Sequence, residues 1–190
     1  MRRLVSTALL AFAAATPAFA QDSAPFTGPR VEGVVGWDRV QAGGSHDDGV
    51  QYGIGAGYDF AAGGTILGVE AEASDSNVRE CAGSKTLADP RLCLKAGRDL
   101  YVGGRVGKVI GGKTLLYAKA GYTNARAKLT QDDGTDQVTL GNSNLDGIRV
   151  GAGAEYAVGS NAYVKAEYRY SNYENGVSRN QVLGGFGVRF

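Results

Sequence analysis

Side chains able to do chemistry are few in this chain, and their spacing limits what they can do. The single histidine, His46, stands beside Ser45, Asp47 and Asp48. A hydroxyl, an imidazole and a carboxylate are the parts of a hydrolase, but neighbouring residues on one stretch of loop rarely meet the geometry a triad needs. The set therefore reads as a polar loop, and the chain as a non-enzyme. Asp132, Asp133 and Asp136, around Gly134, carry oxygen ligands of the kind a divalent cation takes. They lack the spacing of a calcium loop, so the run reads as a solvated acidic turn, with no metal or cofactor expected.

Cys81 and Cys93 are the only cysteines. In an exported chain, two cysteines in one loop predict a disulfide, with about 3 kcal/mol of resistance to loop opening. Zinc would need further ligands, and none lie near in sequence.

The largest set of ionisable side chains is periodic. Glu70 and Glu72, Arg105, Lys119, Arg149 and Glu155, and Lys165, Glu167 and Arg169 each alternate with apolar or small residues. A period of two puts the charges on one face of a strand and the apolar residues on the other. The same alternation gives the inward acids Glu32, Asp38, Asp59 and Asp99 and the inward bases Arg30 and Arg189. The two signs nearly cancel. Charges enclosed in a narrow barrel must find partners, so these residues predict a salt-bridged filling; a charge-selective pore would carry an excess of one sign.

The elements that must position them are eight strands, at about residues 30–40, 50–60, 65–74, 98–109, 114–125, 146–157, 162–173 and 181–190. Their outward faces include Val31, Val35 and Trp37, then Tyr52, Ile54 and Tyr58, and finally Val182, Phe186, Val188 and Phe190. Apolar residues outside and charges inside reverse the order of a soluble core. The expectation is all-β: an eight-stranded antiparallel transmembrane β-barrel of the outer membrane. Trp37, Tyr122, Tyr168 and Tyr170 would form one aromatic girdle, with Tyr58, Phe60, Tyr156 and Phe190 forming the other.

Short connections at residues 61–64, 110–112 and 159–161 fall at one edge. At the other edge residues 41–49, 75–97 and 126–145 read as long polar loops, and only Glu174-Asn175-Gly176 as tight. Paired residues must face the same side. That parity predicts a three-residue turn with Gly176 left-handed, and a turn at 159–161 that sets Glu155 against Lys165.

Residues 1–20 read as a signal peptide, with Arg2 and Arg3, an apolar stretch from Leu4 to Ala15, and Ala18-Phe19-Ala20 as the cleavage site. Residues 21–28 form a short polar lead, and residues 29–190 the barrel domain. The formal charge of +1 includes Arg2 and Arg3; without them 18 basic residues face 19 acidic ones, a net of −1. This excludes charge-driven nucleic-acid binding. Thirty glycines and ten tyrosines suit a twisted sheet with aromatic belts.

The stretches Tyr52-Gly53-Ile54-Gly55-Ala56-Gly57-Tyr58, Leu116-Tyr117-Ala118-Lys119-Ala120-Gly121-Tyr122, Val150-Gly151-Ala152-Gly153-Ala154-Glu155-Tyr156 and Val164-Lys165-Ala166-Glu167-Tyr168-Arg169-Tyr170 carry a resemblance. With the terminal Phe190, they resemble the small outer-membrane β-barrel proteins of alphaproteobacteria, the porin-family or opacity-like surface proteins. The resemblance implies insertion by the outer-membrane assembly machinery, which reads the terminal aromatic Phe190 at the end of the Phe186, Val188, Phe190 face. It also implies outer-membrane lipid and lipopolysaccharide as surroundings, and a structural, adhesive or porin role with an unspecified extracellular ligand. The cysteine-bearing second loop departs from the family's usual loops.

Overall fold

The structure is a computed structural model that describes residues 26–86 and 89–190. The expected signal peptide lies outside the described residues. Among these, the strands are β1 (Gly28–Ala42), β2 (Ser45–Ala62), β3 (Thr65–Ser76), β4 (Arg79–Ala82), β5 (Arg91–Ile110), β6 (Thr114–Asp132), β7 (Gln137–Ala157), β8 (Ala162–Tyr173) and β9 (Ser178–Arg189). All pair antiparallel. β1, β2, β3, β5, β6, β7, β8 and β9 form a ring of eight. β1 closes on β9 from Arg30 opposite Arg189 to Gln41 opposite Ser178. β4 stands outside the ring and pairs only with the far half of β5.

Turn chemistry sets the facing of each strand. Gly43-Gly44 and Gly63-Gly64 all have positive φ, between +57° and +86°. Each pair forms a two-residue turn, with Ala42 opposite Ser45 and Ala62 opposite Thr65, and left-handed residues in such turns match the twist of the sheet. Two-residue turns switch the outward parity from odd in β1 to even in β2 and back to odd in β3. The turns after β5 and β7 preserve it, with Ile110 opposite Thr114 and Ala157 opposite Tyr163, and Glu155 does lie opposite Lys165. Between β8 and β9, Tyr173 N–H donates to the Val177 carbonyl at 2.8 Å across Glu174–Gly176. Gly176 is left-handed there, and so is Asn175.

The three long polar loops are a correction. Residues 41–49 and 126–145 are mostly strand, broken only by short turns at 43–44 and 133–136, and residues 91–97 belong to β5. β5, β6 and β7 reach 19–21 residues against 12 in β3, β8 and β9. At a tilt near 45°, eight extra residues project about 20 Å beyond the ring. The result is a four-stranded ribbon of β4, β5, β6 and β7. β1 begins at Gly28, and Phe26 ahead of it is buried.

Ile54, Val69, Val102, Ile148, Val182 and Phe186 are all exposed on the outside of the ring, and Ile54 is 71% exposed. Arg30, Asp38, Arg149, Glu155 and Arg169 are buried inside it. No helix among the described residues is long and apolar enough to cross a membrane.

Candidate functional site

The interior is the most constrained part of the molecule. Among the described residues eight buried acids (Glu32, Asp38, Asp59, Glu70, Glu72, Asp99, Glu155 and Glu167) meet eight buried bases (Arg30, Arg105, Lys119, Arg149, Lys165, Arg169, Arg179 and Arg189). The balance of sign is complete. Each of the eight ring strands supplies at least one of these charges, and the curvature of the ring lets them reach across the lumen as well as along one sheet.

At the end that carries Gly28 and Phe190, the residues Phe26, Ile66, Leu115 and Tyr117 form an apolar plug. Above it Asp59 takes Arg105 Nη2 at 2.6 Å and Arg189 Nη1 at 2.6 Å, while Glu155 bonds Arg105 at 2.5 Å and Arg189 as well. The Arg189 guanidinium also lies over the rings of Phe26 and Tyr163, at 5.5 and 4.7 Å.

In the middle, Lys165 Nζ bridges Glu32 at 2.8 Å and Glu167 at 3.0 Å. Lys119 Nζ bridges Glu70 at 2.7 Å and Glu167 at 3.0 Å. Arg30 reaches Glu32, Asp59 and Glu70, and Arg169 holds Glu72 and Glu167. Tyr101 gives its ring face to Lys119 and Arg149, at 4.7 and 5.2 Å.

Toward the ribbon, Arg149 and Arg179 converge on Asp99, at 2.5 and 3.0 Å. Asp38 accepts from Arg179, Ser76 and Gln181, and Leu183 fills the wall beside them.

Two inward glycines show how tightly this packs. A Cβ on Gly187 would lie 2.3 Å from the Tyr163 ring, and one on Gly185 would lie 2.8 Å from Lys165 Cγ. The inward faces of β8 and β9 are complementary, glycine against long side chain. Beyond the upper charges, a cavity of about 90 Å³ opens at the ribbon end, walled by Val40, Val78, Leu94, Ala96, Ala125 and Leu145, with Tyr173 and Arg179.

The structure thus brings together Glu70, Glu72, Arg105, Lys119, Arg149, Glu155, Lys165, Glu167 and Arg169 in one connected lumen. Arg179, Tyr163 and Phe26 are the members that sequence reasoning missed. Arg179 had a usable signal, because it continues the inward parity of Gln181 and Arg189 by one more step.

Cys81 and Cys93 are bonded, directly opposite each other on β4 and β5. Phe186 and Phe190 are exposed on the outer wall of β9 and at its end. The Ser45, His46, Asp47 and Asp48 group does not assemble. In β2 Ser45 and Asp47 fall on one face, and His46 and Asp48 on the other. Asp48 instead takes two hydrogen bonds from Arg39, at 2.7 and 3.0 Å, and these hold its carboxyl below the usual range. In the 133–136 turn, Lys85 pairs with Asp132 at 3.0 Å and the turn's own N–H groups donate to Asp132 and Asp133. Among the described residues no group of three His, Cys, Asp or Glu side chains is placed to hold a metal ion.

Residues 6–190 match a family described as an outer membrane protein beta-barrel domain. Among solved structures, the chain is similar to Neisserial surface protein A, with 19% identity and a TM-score of 0.61 over 86% of this chain and 98% of that one. It is similar to Ail, the attachment invasion locus protein of Yersinia pestis, in complex with the heparin analogue sucrose octasulfate, with 18% identity and a TM-score of 0.57 over 86% and 99%. OprG from Pseudomonas aeruginosa aligns with 11% identity and a TM-score of 0.51 over 89% and 99%. At these identities the likeness is one of fold. No curated protein matches the chain.

Proposed function

The chain belongs to the outer membrane protein beta-barrel domain family, and from that premise we propose that it is a structural, surface-exposed outer-membrane protein with no catalytic activity. Residues 1–20 direct export, and the Phe186, Val188, Phe190 face serves as the signal read by the assembly machinery. The short-turn end lies in the periplasm and the ribbon stands outside the cell, following the usual disposition of short periplasmic turns and longer outer segments.

The observation that carries this reading is the lumen, filled from Phe26 to Asp38 with charges of balanced sign. A conducting path would require several buried ion pairs to part, and a buried charge left unpaired costs several kcal/mol. The barrel is therefore a closed support, and the ribbon is the part available for contact.

Planar-bilayer recording from the folded, purified protein tests this. A flat baseline at moderate voltage is expected. Steady, reproducible conductance steps would replace this reading with that of a small-solute porin.

A further inference from the structure

The outward face of the ribbon carries a row of like charges for which the described residues supply no counter-ions. Arg79 lies directly opposite Lys95, and Lys95 directly opposite Lys128, across β4, β5 and β6. All three are exposed. Like charges at directly opposed positions destabilise a sheet, since their Cβ atoms stand only about 5 Å apart. One step nearer the ring, Arg98 and Arg126 add two more cations. Arg126 donates to Asn144 at 3.3 Å, and among the described residues no carboxylate pairs with any of the five.

Elsewhere on the ribbon end, opposed cations meet acids. Arg39 faces and bonds Asp48, and Arg91 lies opposite Asp132. Acids beside the row are otherwise engaged: Asp75, which shares an outer groove with Arg98, accepts from the Ser76 N–H at 2.8 Å, Asp146 accepts from Tyr122 and Asn124, and Asp132 binds Lys85. The row is thus a local departure from a rule the rest of this end follows.

Its height supplies the ligand. Tyr122 is the outermost lipid-facing aromatic of β6. Arg126 and Lys128 follow it by four and six residues, which is roughly 10 to 15 Å along the membrane normal at a 45° tilt. That is above the hydrocarbon, at the level of lipid head groups and the sugars attached to them. Cations spaced by one strand separation can share the oxygens of one phosphate group.

We propose that Arg79, Lys95 and Lys128, with Arg98 and Arg126 beneath them, seat the phosphate groups of the anionic glycolipid of the outer leaflet, clamping the base of the ribbon to the membrane surface. This rests on the reading that the ribbon is extracellular.

The test uses full-length folded protein in detergent, titrated with bisphosphorylated lipid A and with enzymatically dephosphorylated lipid A, and read by native mass spectrometry. Wild type is expected to bind the phosphorylated form at least tenfold more tightly. The triple variant Arg79→Gln/Lys95→Gln/Lys128→Gln should lose that preference, while Lys108→Gln/Lys113→Gln, at the opposite end, should keep it. Each variant is first checked for the mobility shift of a folded barrel. Equal binding of both lipids by wild type, or an undiminished preference in the folded triple variant, would overturn the proposal and leave the closed-barrel reading standing. Stronger retention by a sulfated polysaccharide than by the phosphorylated lipid, lost in the triple variant, would also overturn it, assigning the row to a soluble polyanion. Labelling of an Asn142→Cys variant, made in a Cys81→Ser/Cys93→Ser background, from the periplasm alone would instead remove the orientation on which both readings depend.

Discussion

Glu155 and Lys165 stand directly opposite each other on β7 and β8, yet neither is the other's ion-pair partner. Lys165 reaches Glu32 on β1 and Glu167 on its own strand, while Glu155 takes Arg105 from β5 and Arg189 from β9. In a flat sheet the opposed pair would be the natural contact. Closing the sheet brings strands far apart in sequence within reach of one another, and the charges choose partners across the lumen.

The first prediction concerns Glu155. Its replacement by glutamine leaves Arg105 with Asp59 alone and deprives Arg189 of one of its two carboxylates. Removing one side of a buried ion pair costs roughly 3–5 kcal/mol. Urea unfolding in detergent, followed by the fluorescence of the sole tryptophan, Trp37, should show a clearly lowered midpoint for Glu155→Gln. An unchanged midpoint would mean that this layer contributes little to holding the barrel.

A second prediction tests the packing of ring against glycine. Any side chain at Gly187 meets the Tyr163 ring, whose hydroxyl donates to Glu32 at 2.7 Å. Gly187→Val should destabilise by about 1–3 kcal/mol through overpacking. Adding Tyr163→Ala should recover part of that loss, and a double variant no better than the single one would place the damage elsewhere.

The disulfide should act locally. Cys81 and Cys93 join β4 to β5 outside the ring of eight, so Cys81→Ser/Cys93→Ser should leave the heat-dependent gel shift intact while hastening proteolysis between residues 79 and 97. The sequence separation of 12 corresponds to about 3 kcal/mol of loop-closure entropy. Loss of the folded band would contradict a purely local role.

The rim at the ribbon end carries a pH-dependent contact. Hydrogen bonds from Arg39 lower the Asp48 carboxyl from its ordinary value of 3.8. Because the folded value is the lower one, the contact contributes fully above the ordinary value and is lost as pH falls through the folded one. Carbon-detected NMR titration should place Asp48 below 3.8 in wild type and return it toward that value in Arg39→Gln. A wild-type value at or above 3.8 would show that the pair does not form in solution.

The eight faces of the ring were legible because lipid on one side and a charged lumen on the other enforce a period of two, as in Val164 to Tyr170. The ribbon was not, because outside the membrane neither face of a strand is bound to that rule. Residues such as Asn142, Ser143 and Asn144 pair in β7 with β6 but read as loop. Arg179 went unread because β9 starts three residues earlier than its apolar face suggests. The plug residue Phe26 went unread because a single aromatic between Pro25 and Thr27 carries no strand period. The lumen charges were legible as a set, while their pairing depends on curvature, which no single strand encodes.

The central claim is a closed barrel in the outer membrane with its charged face inside. Gel mobility of detergent-extracted protein from fractionated membranes, boiled against unboiled, tests it most directly. An outer-membrane protein whose unboiled band migrates apart from the boiled one is expected. Soluble periplasmic protein with a single band under both conditions would contradict it and mean that the charged face meets water.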